Sequence, residues 1–186
     1  MTKNFTKIAF TESVKKVQEK FGSRDAYSRF EEVEKFELTQ NEKFFIAERD
    51  SFYLATVGEN GFPYLQHRGG PKGFLKILDD STIGFADFSG NKQFISVGNI
   101  ISTKKATLFL MDYRSKTRLK IWAESSILEL SENPELLEKL RPKDYKANVE
   151  RMIIFRIVGY DWNCPQHITE RYSLEELEML GKKFEK

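Results

Sequence analysis

The 186 residues contain a single cysteine, Cys164, and only two histidines, His67 and His167. One cysteine excludes an intrachain disulfide and suits a reducing compartment. It also leaves no paired Cys spacing of the zinc type, so no metal site is expected. No apolar run approaches the ~20 residues of a membrane span, and the N-terminus carries no apolar signal core. Neither sign of charge dominates. Thirty Lys and Arg stand against 28 Asp and Glu, a formal net charge of +2. A nucleic-acid-binding face would more often show as a basic excess. The expectation is a soluble, cytoplasmic chain with no nucleic-acid partner and no membrane partner. Neither repeats nor Pro- or Gly-rich tracts mark a linker, so residues 1–186 are read as one domain.

Hydrophobic residues make up 40% of the chain and aromatics 13%, with sixteen phenylalanines. That is enough to bury a core, which excludes wholesale disorder. The phenylalanines are most simply core packing, although some can wall a flat ligand.

Residues 1–38 read as a helical extension. Val14, Val17 and Phe21 fall at helical spacing, so 11–21 is expected to pack on the domain edge. Thr39 and Glu42 have capping-box spacing ahead of a helix over 40–49. The centre reads as β. Phe52 to Val57 and Pro63 to Arg68 flank Asn60-Gly61, a hairpin signal. Phe74 to Leu78 and Thr82 to Phe88 form a second pair, and Asn91 to Thr103 a helix with Phe94, Val97 and Ile101 buried. Ala106 to Tyr113, Thr117 to Leu128 and Met152 to Trp162 supply three longer strands. Asn133-Pro134 opens a helix to Lys139, and a short second helix is expected within 141–150. Ser173 and Glu176 cap a C-terminal helix within 170–186. The fold class is mainly β: a small antiparallel β-barrel of about six strands with peripheral helices.

Two glycine turns concentrate the polar chemistry. His67-Arg68-Gly69-Gly70-Pro71-Lys72-Gly73 follows one strand, and Asp87-Phe88-Ser89-Gly90-Asn91-Lys92 follows another. A turn before a helix offers free N–H groups, a lysine and short polar side chains, which suits a phosphate. Arg68, Asn91, Lys92 and Arg118 are expected to meet at one barrel rim. The first turn lacks the spacing of a nucleotide P-loop. Gln66-His67 and Gln166-His167 form a second set. Cys164 and His167 share the loop Asn163-Cys164-Pro165-Gln166-His167, where a thiol nucleophile with a histidine base is conceivable but no third orienting group is visible.

The Asn60-Gly61-Phe62-Pro63 hairpin, both glycine turns and Trp162-Asn163-Cys164-Pro165-Gln166-His167 together resemble the pyridoxamine 5'-phosphate oxidase-like family, over about Phe44 to His167. The resemblance implies a six-stranded antiparallel split barrel of the FMN-binding type. It also implies a homodimer holding FMN in clefts between subunits, acting as an FMN-dependent oxidoreductase on a small-molecule substrate, with NAD(P)H a candidate donor. Lys92 matches the lysine of the family's phosphate-binding Arg-Lys pair. Asn91 stands where the arginine would be, and Arg118 is the candidate to replace that charge. On this reading Lys92, Arg118 and Arg68 neutralise the phosphate, and Ser89 and Asn91 hydrogen-bond it. Gln66, His67 and Asp87 line the cofactor beyond. Gln166 and His167 reach over the partner's flavin, with His167 the first catalytic candidate because imidazole exchanges a proton near neutral pH. The chain lacks the oxidase's own C-terminal substrate-reading stretch, so oxidation of pyridoxamine phosphate is not expected. A non-enzymatic flavin carrier or sensor, and a haem-binding protein using His67 and His167, are the alternatives on the same fold.

Overall fold

The computed structural model describes residues 5–32 and 37–181. The N-terminal segment holds α1 (Phe5–Ala9), α2 (Glu12–Lys20), α3 (Arg24–Ser28) and a 3-10 turn over Arg29–Glu32. The Thr11 hydroxyl caps α2 at the Val14 N–H. Its apolar stripe is not packed on the barrel, however: Val14, Val17 and Phe21 are exposed. A short helix needs tertiary contact to bury one face, and among the described residues α2 meets only its neighbour α3 extensively. Phe5 instead ties the extension down by stacking on Trp122 with centroids 6.0 Å apart.

α4 (Gln40–Ala47) opens with the full capping box. The Thr39 hydroxyl accepts from the backbone of the first turn, and Glu42 accepts from the Thr39 N–H at 2.9 Å. Seven strands follow, one more than expected. They are β1 (Ser51–Val57), β2 (Pro63–Gly69), β3 (Lys76–Ile77), β4 (Thr82–Phe88), β5 (Lys105–Asp112), β6 (Thr117–Leu128) and β7 (Val149–Trp162). α5 (Ile95–Thr103) lies between β4 and β5, α6 (Pro134–Leu140) between β6 and β7, and α7 (Leu174–Met179) follows β7. The sheet order is β2-β1-β5-β6-β7-β4-β3, with every described pairing antiparallel. Its hydrogen-bond ladder does not close, which leaves a split between β2 and β4.

Alternation decides which face is core. Phe52 and Leu54 of β1, Leu108 and Leu110 of β5, and Leu119 and Ile121 of β6 are buried, with outward residues between them. Phe52, Phe74, Phe85 and Phe155 form one ring cluster, with centroids 5.6–6.5 Å apart. Five phenylalanines, these four and Phe45, are buried in the core, whereas Phe21, Phe30, Phe44, Phe62 and Phe94 are exposed. In β7, Met152, Ile153 and Phe155 are all buried, consistent with cover on both faces. Gly84 of β4 is needed there, because a Cβ would come within 2.8 Å of Ile154 Cδ1 and 3.0 Å of the Ile153 carbonyl.

Several local expectations change. The segment after the first glycine turn contributes only the two residues of β3. No helix forms within 141–148. The helix expected from Asn91 starts at Ile95, and its buried residues are Ser96 and Ile100. Phe94 and Ile101 are exposed. The apolar periodicity was real but pointed outward, because Asn99 and Ser96 are recruited inward by Thr56 and Gln66.

Candidate functional site

The split holds a cleft of 220 Å³, lined by Gln66 and Arg68 from β2, Asp87 from β4, the loop Gly90–Phe94, the first turn of α5, and Glu150 and Arg151 from β7. Strand alternation selects its β2 side chains. Gln66 and Arg68 face the cleft, whereas His67 lies on the opposite face against Tyr53, ring centroids 5.8 Å apart.

The floor is a chain of charges. Asp87 is 2% exposed. Arg68 Nη1 donates to its Oδ1 and Arg151 Nη1 to its Oδ2, each at 2.7 Å. Arg151 Nη2 donates to Glu150 at 2.8 Å. The Arg68–Asp87 pair spans the split, joining strands that share no backbone ladder. Burial pushes the Asp87 carboxyl up, Arg68 and Arg151 pull it back, and Glu150 adds to the rise; the net position is above the ordinary range. Arg68 Nε is buried and has no acceptor among the described residues.

The wall is a strained loop. Lys92 has φ 59° and Phe94 φ 53°, the left-handed region that non-glycine residues enter at a cost of about 1–3 kcal/mol each. Asn91 Oδ1 accepts from the Gln93 N–H at 3.2 Å, forming the turn. The Arg151 guanidinium lies 4.9 Å from the Phe94 ring centroid, so it props the turn from below. α5 starts at this loop with no side-chain cap. Lys92 is exposed and makes no ion pair within 4.0 Å among the described residues. Uncapped first-turn N–H groups beside an ammonium are the kind of donors that suit an anion.

The other glycine turn does something different. The Gly70 N–H donates to the Asp50 carbonyl, Gly73 to Arg49 and Phe74 to Pro71, each at 2.9 Å. Lys72 pairs with Glu48 at 2.5 Å. Gly73 has φ 73°, and a Cβ there would meet the Ala47 carbonyl at 3.0 Å. This basic loop latches β2 onto the end of α4, and those three N–H groups are spent on carbonyls.

Of the residues named from sequence, Gln66, Arg68, Asp87, Asn91 and Lys92 converge on the cleft. Ser89 lies beside it, with its N–H donated to the Asn148 carbonyl at 2.9 Å. Arg118 does not join them. It lies on the outer sheet face over Phe109 and pairs with Asp161 at 3.2 Å. With His167 and Cys164 it lines a separate cavity of 480 Å³, also bounded by Met111, Tyr113 and Arg171. One rim cannot hold both sets, because residue 118 projects from the face opposite the buried Leu119. Gln166 is exposed and lines neither cavity. Asn163 is structural: its Oδ1 accepts from the Arg118 N–H at 2.5 Å and its Nδ2 donates to the Lys116 carbonyl at 2.9 Å. Arg151 and Glu150 were missed. The available signal was Asp87, a carboxylate in an otherwise apolar strand, which needs a cationic partner when buried.

An antiparallel split barrel with a donor-rich cleft at the split is thus the class defined by fold and site. The family model described as pyridoxamine 5'-phosphate oxidase matches residues 38–162, about two thirds of the chain, and the chain belongs to that family. Among solved structures, HupZ of Group A Streptococcus is similar at 17% identity and a TM-score of 0.54, covering 73% of this chain and 99% of that one. An FMN-binding protein from Syntrophomonas wolfei subsp. wolfei is similar at 18% identity and a TM-score of 0.52, covering 82% and 96%. At these identities the likeness concerns the fold. No curated protein matches the chain significantly in sequence. No helix among the described residues is long and apolar enough to cross a membrane.

Proposed function

We propose that the chain is an FMN-binding oxidoreductase whose cleft at the split takes the flavin's phosphate. The observation that carries this reading is Lys92, an ammonium with no carboxylate partner among the described residues, on a turn strained toward the uncapped start of α5. The donor set fits the group. A phosphate monoester carries about −1.5 to −2 charges at pH 7. Lys92, the N–H groups of the first α5 turn and the unsatisfied Nε–H of Arg68 are all donors with no acceptors to spare. Gln66 and Asn91 add neutral hydrogen-bonding groups at the same cleft. When bound, the flavin would supply hydride or electron transfer. The chain's own residues bind and orient it, and the buried Asp87 keeps the arginine heads in place.

A homodimer with a small-molecule substrate belongs to the same proposal. Phe62, Leu65, Phe94, Ile95 and Ile101 are large apolar residues left exposed on the β1–β2 hairpin and α5, as an interface requires. The second cavity, with Arg118, His167 and Arg171 over an apolar floor of Phe109 and Met111, has the make-up of a substrate pocket. His167 there is the candidate for proton exchange.

The test is the visible spectrum of purified protein, titrated with FMN where it is colourless. Flavin bands with saturable binding are expected, and sedimentation at the mass of two chains. A protein that ignores FMN, or shows an intense Soret band instead, overturns the reading. Reduction of bound flavin by NADH or NADPH with turnover onto an acceptor establishes the enzyme; bound flavin without turnover makes the protein a carrier.

A further inference from the structure

We propose that Arg151 is a second cationic contact for the ligand's phosphate, with Asp87 as the residue that aims it. This rests on the flavin reading above and specifies how its phosphate is held. A charge count motivates it. The cleft gathers three cations, Arg68, Lys92 and Arg151, against two carboxylates, Asp87 and Glu150. One buried carboxylate is neutralised by one guanidinium, and Arg68 already supplies it at 2.7 Å. Arg151 pairs with Glu150 as well, so the two arginines balance the two carboxylates and Lys92 is the net charge; what Arg151 holds in surplus is donors.

The geometry makes the surplus useful. A guanidinium has five N–H donors in a planar fork. Asp87 and Glu150 accept one each from Arg151, so the remaining donors of its fork are available to an incoming anion. The side chain is 14% exposed, on the cleft lining. Its plane is set by Asp87 on one side and the Phe94 ring on the other. A fork fixed before the ligand arrives loses little freedom on binding. Phe94 immediately precedes α5, so Arg151 also sits against the turn that presents Lys92. Arg118, the candidate from sequence, is committed to Asp161 at a different cavity.

The test uses the full chain and reads fluorescence quenching of FMN and of riboflavin, which differ only in the phosphate. Wild type is expected to prefer FMN. Arg151→Gln should raise the FMN Kd about tenfold or more and leave riboflavin unchanged. Glu150→Gln combined with Arg151→Gln removes that pair as a unit, leaves Asp87 with Arg68, guards against misfolding from an uncompensated carboxylate, and should show the same loss of preference. Arg118→Gln should keep the FMN-to-riboflavin ratio of wild type. Equal weakening of both flavins means a merely structural role and overturns the assignment, as does a folded Arg151 variant that keeps the preference. Loss of the preference in Arg118→Gln alone overturns it too. A wild-type protein without preference for FMN defeats the flavin-phosphate reading itself, and this assignment with it.

Discussion

Two buried carboxylates, at opposite purposes, organise this molecule. Glu42, 4% exposed, sits where α4 meets the end of β7. It accepts from the Thr39 N–H at 2.9 Å, the Thr39 hydroxyl at 2.5 Å and the Trp162 indole at 2.8 Å. Asp87, similarly buried, is held only by two arginines. Burial pushes the Glu42 carboxyl up, but the donors from Thr39 and Trp162 outweigh it and leave it below the usual range. For Asp87 burial wins. Around Glu42 the neighbours are closed as well: the Phe45 and Trp162 rings meet edge-on at 4.9 Å, and burial beside the Glu42 charge pushes the Tyr160 phenol up to about 12. Around Asp87, among the described residues, an arginine N–H lacks an acceptor, a lysine lacks an ion-pair partner and two residues occupy left-handed backbone. A fully satisfied polar cluster fixes a junction; a cluster with donors in surplus awaits a ligand.

The contrast can be broken by mutation. Asp87→Ala should have the largest effect, a loss of about 3–5 kcal/mol in urea unfolding, because it leaves two guanidiniums buried without their shared carboxylate. A loss below about 1 kcal/mol would mean the clasp across the split holds nothing. Lys92→Ala should weaken FMN by roughly tenfold to a hundredfold, a charge-assisted hydrogen bond being worth about 1.5–3 kcal/mol, while the unfolding midpoint stays put. If Lys92 instead supports the fold, the midpoint moves and the affinity does not. Glu42→Gln should cost about 1–2 kcal/mol at pH 7 and leave flavin affinity unchanged. Its folded carboxyl is depressed, so its contribution is present above the usual glutamate range and disappears as pH falls through the lower folded value. The gap between wild type and variant should therefore close as pH falls below the ordinary glutamate range. A gap that widens on acidification contradicts the assignment. Gly98→Ala is the smallest. Gly98 is mid-helix, and a Cβ there would meet nothing within 4 Å. In an isolated chain the change should stabilise by about 0.5–1 kcal/mol. Weakened dimerisation on the same substitution would place a second copy over α5.

Much of the closed region was legible in the sequence. Thr39 and Glu42 form the predicted box because a cap depends on residues three apart and on little else. The same holds for Asn133 and Ser173, each of which caps its helix as the sequence implies. Strands 82–88 and 117–128 have the bounds that the sequence implies, the second through its alternation. The open region was half legible. Lys92, Asn91, Arg68 and Gln66 were found because turn chemistry and strand ends are local signals. Arg118 was misplaced and Arg151 overlooked, because which strand faces which across the split is a long-range matter. Helix 95–103 was read from the wrong residue and with the wrong face inward, since Phe94 adopts a left-handed conformation that no propensity favours.

By itself, then, the chain determined its caps, the alternation of its longest strands and the turn that carries Lys92, all of which follow from the order of residues near in sequence. Only the tertiary structure decided that Arg68 and Arg151 share Asp87, that Arg118 stands at another cavity, and that the first glycine turn is a latch. Those outcomes depend on strand order and on which buried charge finds which partner, and burial makes that choice only after distant segments have met.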